Sequence, residues 1–277
     1  TGTDEPDALG RTRRKYCYNI LVSGLDDDNG GSDTNILVRF DVPNKRIDLV
    51  SLPRDTLLHN EYRNNKLNFA YAKGGTELLM EQIENLLGIP VDFYVTVNLK
   101  GFIALVDQID GVDFDIPINM DYDDPYQDLH IHFTKGPRHL NGQEAMEVVR
   151  FRHNNDGTGY GTEDIGRIGT QQAFLKAVAK QLLQIGNVKN IPALVDIFYT
   201  YVKTDLTTGN LVWLGNEALN IGTENIHFAT LPGDGSGYYN KQSVYVLDAQ
   251  ATCDLVNEAL NPYNEALTLE DMDILVP

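Results

Sequence analysis

The chain is poor in cysteine, in positive charge and in long apolar runs, and each shortage removes a class of protein. Two cysteines occur in 277 residues, Cys17 and Cys253, one near each end. Two lone thiols without neighbouring histidines do not make a zinc framework. They leave two readings open: a pair of buried reduced thiols, or a disulfide tying the ends together, which an oxidising location would favour. Lysine and arginine number 22 against 40 aspartates and glutamates, a formal net charge of −18. That balance argues against a nucleic-acid binder, which needs a basic face to displace counterions from phosphates. It argues equally against electrostatic adsorption to an anionic membrane. No apolar run reaches the roughly eighteen residues of a membrane span, and no signal peptide is visible. The six histidines show no HExxH spacing, and neither a GxSxG elbow nor a phosphate-binding P-loop is present. His130 and His132 alternate on one strand and share a face, a pattern that by itself favours an ordinary surface over a metal site.

What is present is the patterning of an α/β protein. YNILVSG, TNILVRFD and RIDLVSL are short β-branched runs separated by Gly, Asp, Asn and Pro, which reads as strands. GTELLMEQIENLLG (75–88) sets Leu78, Leu79, Ile83, Leu86 and Leu87 on one helical face and stops at Gly88 before Pro90. VDFYVTVN is a strand, LKGFIALVDQIDG (99–111) a second helix, and VDFDIP another strand. Residues 119–127 read as a polar loop, LHIHF as a strand and HLNGQEAMEVVRFRH as a short helix. A long helix follows from about Glu163 to Ile185, with more helices over 190–202, 209–221 and 248–260 and the strands NIHFATL and SVYVLD between the last two. Alternating strands and helices predict a sheet covered by helices. Residues 1–16 are a polar segment, expected to be the trimmed end of a longer chain with an anchor upstream. Residues 17–277 show no linker or composition break and are expected to form one domain.

Charged residues stand where apolar elements end. Asp26 closes one strand and Asp33 opens the next, so the Gly-rich turn between them could bring two carboxylates together. Paired carboxylates suit magnesium, which shares its remaining positions with water and substrate. The same segment also fits a solvated acidic hairpin. Arg54 and Asp55 stand just past IDLVSL and Pro53, at the carboxyl edge of a strand, where open α/β sheets bind ligands. Lys66 and Asn68 stand just ahead of a helix. Arg150 and Arg152 lie two apart, and Arg167 and Gln171 four apart, so the latter pair share a helical face. In so acidic a chain, three arginines and a glutamine so arranged suggest an anion clamp, since guanidinium forks grip phosphate oxygens bidentately.

Taken in order, these segments resemble the LytR-CpsA-Psr family. The matching stretches are NILVSGLD, the SDT step, SLPRDT, KLNFAYAKGG, VDFYVTVNLKGFIALVDQIDGVDFDIP, LNGQEAMEVVRFRH and DIGRIGTQQ, covering roughly residues 17 to 185. The resemblance implies a central mixed β-sheet with helices on both faces and a hydrophobic lipid channel between sheet and helices. It implies a magnesium-dependent phosphotransferase that moves a polyprenyl-pyrophosphate-linked glycopolymer, of teichoic acid or capsular type, onto a peptidoglycan hydroxyl and releases polyprenyl phosphate. Asp26 and Asp33 would be the Mg2+ ligands. Arg54 would grip the pyrophosphate, Asp55 would orient a neighbouring arginine, and Lys66 and Asn68 would contact substrate. Arg150, Arg152, Arg167 and Gln171 would surround the phosphates. Asp55 or a metal-side carboxylate would serve as base. The implied location is the outer face of a Gram-positive cell membrane, on the cell-wall side. Two features depart from the family pattern: Gly31 and Ser32 stand where an Arg usually precedes the SDT step, and Thr170 replaces an Arg before Gln171. Two rival readings remain, a pyrophosphatase acting on lipid-linked precursors and a non-catalytic module that binds wall precursors.

Overall fold

A computed structural model describes residues 6–25, 30–126, 129–160, 163–184 and 191–277. Three strands come first: β1 (Cys17–Leu25), β2 (Ser32–Asp41) and β3 (Arg46–Leu52). Helix α1 (Leu67–Leu87) and strand β4 (Phe93–Val97) follow. Next are α2 (Leu99–Gln108), β5 (Val112–Ile116), β6 (Met120–Asp124), β7 (Leu129–Phe133) and β8 (Gly136–Leu140). Helices α3 (Gly142–Arg150), α4 (Glu163–Gln184) and α5 (Ile191–Tyr201) lead to β9 (Val202–Thr204) and α6 (Thr208–Ile221). The chain closes with β10 (Ile226–Thr230), β11 (Gly233–Tyr239), β12 (Gln242–Leu247) and α7 (Ala249–Ala259). These elements pack as two compact units, Thr1–Asn98 with Lys203–Pro277, and Leu99–Val202.

The first unit holds a six-stranded mixed sheet in the order β10-β3-β2-β1-β4-β9. Strand β2 is antiparallel to β1 and β3, β4 is parallel to β1, and β10 is parallel to β3. The carboxyl ends of β1, β3, β4 and β10 therefore share one edge, and β2 begins there. Both faces are covered, which is why these strands read as near-continuous apolar runs. On one face Leu21, Leu37 and Val50 pack under Leu79, Ile83, Leu86 and Leu87 of α1 and Val256 and Ala259 of α7. Each of those four α1 side chains is at most 1% exposed, and burying one contributes about 1.5–3 kcal/mol. On the other face Ile20, Val22, Val38 and Phe40 meet Leu211, Trp213 and Leu214 of α6.

The second unit pairs β5 with β8 and β6 with β7, both antiparallel. Its core joins Val106, Val112, Ile116, Ile131, Val148, Phe151 and Phe174. Phe174 stacks between Phe102 and Phe114, with ring centroids 5.7 and 5.6 Å away. Helix α3 starts at a capping box in which Asn141 accepts from the Glu144 N–H and the Glu144 carboxylate accepts from the Asn141 N–H.

The structure differs from the sequence expectation in several places. Residues 119–127 contain a strand, β6, because only its inward positions are apolar. Helix α1 begins at Leu67, eight residues before the apolar periodicity takes hold. It is broken by non-helical backbone at Gly74 and Gly75, the latter at φ 66° and ψ −156°, a conformation left to glycine. The two cysteines are free and buried, not joined in a disulfide. Burial pushes the Cys17 thiol up to about 11.

Candidate active site

Strand β3 ends at Leu52, and Pro53 then turns the chain so that Arg54 and Asp55 emerge at the shared carboxyl edge. The turn is fixed by main-chain bonds. The Thr56 N–H donates to the Pro53 carbonyl, the Tyr245 N–H to the Asp55 carbonyl and the Asn68 N–H to the Arg54 carbonyl. Backbone pairing between Leu57 and Lys66 brings the start of α1 alongside.

The side chains form a row of alternating charge. Arg54 Nη1 donates to Asp33 Oδ1 at 2.6 Å, and Arg54 Nε lies 3.8 Å from Asp55 Oδ1. Lys66 Nζ stands 3.1 Å from the same Asp55 oxygen. Asp33, Arg54 and Asp55 are each about a third exposed, with side-chain values of 35%, 29% and 33%. Asp55 thus lies between the cations of Arg54 and Lys66, and Lys66 is the N-cap residue of α1. Asn68 lies inside the first turn of that helix and contributes backbone contacts to the Arg54 turn. A Cβ at Gly31 would stand in ordinary van der Waals contact with the Asn68 carbonyl, at 3.6 Å.

The proposed metal pair is described in one half. Asp33 opens the site end of β2, whereas Asp26 lies outside the described residues. A partly exposed carboxylate is the hard oxygen donor that Mg2+ prefers, so Asp33 fits such an ion. Behind it sits a buried polar layer that the sequence reading missed. Ser23 Oγ donates to Asn35 Oδ1 at 3.1 Å, and the buried Ser32 hydroxyl has no hydrogen-bond partner among the described residues. The only sequence signal was polar residues in otherwise apolar strands.

In the second unit, Arg150 ends α3 and Arg152 follows two residues later, the pair flanking the buried Phe151. That burial explains the spacing of two: the intervening side chain anchors the segment while its neighbours point elsewhere. Arg167 and Gln171 lie on α4, four apart, as the spacing predicted. Gln171 Nε2 donates to the Val149 carbonyl at 3.4 Å, which sets this face of α4 against the end of α3. Helix α4 approaches closely at Gly166, where a Cβ would come within 2.1 Å of Tyr160 Cβ. The Tyr160 ring meets Phe151 edge-on at 5.6 Å. Burial raises the Tyr160 phenol above its ordinary value, with the Thr170 hydroxyl and the Arg167 charge opposing. Thr170, the residue that departs from the family pattern, is 5% exposed; the position is interior, and a short hydroxyl occupies it.

The LytR_cpsA_psr family model matches residues 3–261. The chain is 32% identical over 252 residues to the polyisoprenyl-teichoic acid–peptidoglycan teichoic acid transferase TagV of Bacillus subtilis (strain 168), covering 86% of this chain and 62% of that protein. It is also 32% identical over 244 residues to the corresponding transferase TagU of Bacillus cereus, covering 86% of this chain and 76% of that one. The crystal structure of B. subtilis TagV superposes with a TM-score of 0.75 at 27% identity, over 95% of this chain and 100% of that one. The family match runs through all the motif segments. The chain belongs to the LytR-CpsA-Psr family.

Proposed function

We propose that the chain is a phosphotransferase that attaches a polyprenyl-pyrophosphate-linked glycopolymer to peptidoglycan on the outer side of the cell membrane. The reading rests on the Asp33–Arg54–Asp55–Lys66 row at the carboxyl edge of the sheet, in a chain 32% identical to proteins named as such transferases. The acceptor hydroxyl oxygen bonds to the glycopolymer-side phosphorus, and the bond from that phosphorus to the bridging oxygen breaks. Polyprenyl phosphate leaves, and the hydroxyl proton passes to a base. Charge spreads over the phosphoryl oxygens in such a transfer, so positioned cations do most of the work.

Arg54 is the cation proposed to meet a pyrophosphate oxygen, with its Nη1 held by Asp33 and the Asp55 carboxylate 3.8 Å from its Nε. By the family resemblance, Arg150, Arg152, Arg167 and Gln171 of the second unit would also serve as donors to substrate phosphates. Asp33, with Asp26, would hold Mg2+, which when bound neutralises pyrophosphate charge. Tyr71, Leu78 and Met80 of α1 are only partly buried against the core, and they supply an apolar surface for the isoprenoid.

The test is release of polyprenyl phosphate from a short lipid-linked precursor with peptidoglycan as acceptor. Arg54→Lys keeps the charge but loses the planar fork, so the rate should fall by about one to two orders of magnitude. EDTA should abolish transfer and Mg2+ restore it. A wild-type rate for Arg54→Lys would overturn the proposal, and release without acceptor attachment would make the chain a pyrophosphatase.

A further inference from the structure

The β6–β7 hairpin carries a second cluster of ligating side chains that the transferase reading does not use. Its register places Asp121 opposite His132 and Asp123 opposite His130. Residues two apart on a strand share a face, so the four side chains form a two-by-two patch on the exposed side. Met120, Leu129, Ile131 and Phe133 bury the other side. Asparagines that directly follow Arg152 and His153 brace the strand. The Asp121 N–H donates to Asn154 Oδ1 at 2.7 Å and the Asp123 N–H to Asn155 Oδ1 at 2.6 Å.

The side-chain geometry is that of a ligand set. One ligand atom from each of Asp123, His130 and His132 lies within 4.8 Å of the others. Ligands about 2.0–2.2 Å from a zinc ion stand about 3.3–3.5 Å apart, so small rotations of exposed side chains close the set. Asp123 Oδ1 already receives His130 Nδ1 and lies 3.4 Å from His132 Nε2. Asp121 Oδ1 holds His132 Nδ1 at 2.8 Å. With the Nδ1 proton committed to Asp121, Nε2 presents a lone pair towards a carboxylate lone pair, and only a proton or a metal ion reconciles the two. A carboxylate behind a ligating histidine is the usual way to fix tautomer and ring orientation at zinc.

We propose that Asp123, His130 and His132 bind a divalent transition-metal ion of the zinc class, with Asp121 as the positioning residue for His132. Imidazole nitrogens select such ions over magnesium, so the site is chemically distinct from the Asp33 carboxylate. The ion ties β6 to β7 and, through Asn154 and Asn155, steadies the segment that follows Arg150 and Arg152.

The experiment is calorimetric titration of the tag-free protein with zinc chloride, in the presence of excess magnesium. One saturable equivalent is expected, with Asp121→Asn weakening the affinity about tenfold or more. His130→Ala and His132→Ala should each weaken it further, and His139→Ala, on the β5–β8 pair, should leave it unchanged. These histidines are about half exposed, so the variants keep the fold, which circular dichroism checks. Absence of saturable zinc uptake, or unchanged affinity in the His130→Ala/His132→Ala double variant, would overturn the proposal.

Discussion

The two ends of strands β2 and β3 carry the same residue types and put them to opposite uses. At the far end Arg39 and Asp48 meet at 2.7 Å with side chains 4% and 2% exposed. Asp48 also takes Arg46 at 2.8 Å, and nearby Arg14 pairs with the buried Asp41 at 2.7 Å. At the carboxyl edge of β3 the Arg54–Asp33 pair is just as short but roughly a third exposed. Desolvation separates the two cases: a buried pair is locked because neither charge can return to water, whereas an exposed one can exchange its partner for a ligand. Short arginine–aspartate distances therefore occur at both ends, and exposure is what separates them.

The sharpest test of that contrast is Asp48→Ala. It strands Arg39 without its partner in the interior and should cost about 3–5 kcal/mol, read as a lowered denaturant midpoint. Asp33→Ala, at the open end, should change stability by less than about 1 kcal/mol. Equal losses in the two variants would erase the distinction.

The second test sharpens the comparison on the side of activity. Arg150→Lys, Arg152→Lys and Arg167→Lys should each slow polyprenyl phosphate release by about one to two orders of magnitude while barely moving the melting temperature. Double variants should lose less than the product of the single effects, because the residues act on one ligand. Near wild-type rates for all three would return these arginines to the class of solvated surface residues.

The smallest effect concerns an exposed pair outside both ends. Asp113 accepts from His139 at 2.7 Å across the β5–β8 ladder and raises the histidine above its ordinary 6.5. A raised value means the pair's contribution is full below 6.5 and fades as pH climbs through the raised value. Between about pH 6 and about pH 8 the wild type should lose slightly more thermal stability than His139→Gln. Identical pH slopes would show that the pair contributes nothing.

Arg54 and Asp55 of the first unit were legible because they stand just past IDLVSL and Pro53, where charge ends an apolar run, and in the second unit Arg167 and Gln171 keep helical spacing on α4. The locked end was hidden by the same logic. Arg39 and Asp48 sit inside runs that read as strands, and nothing local says that they face each other across a ladder. Strand β6, MDYDD, looked like a loop because its outward positions are acidic, and its inward pattern counts only beside β7. The early start of α1 was masked by Gly74 and Gly75, which break the periodicity where the helix bends.

The two unpaired cysteines carry a last consequence. Cys17 lies within β1 and Cys253 within α7, both buried, and a thiol pushed up to about 11 holds almost no thiolate near neutral pH. Thiolate is the form that oxidants and disulfide exchange attack. In the folded chain both thiols are therefore shielded from oxidants and from disulfide exchange, by burial and by a pKa raised above the ordinary value.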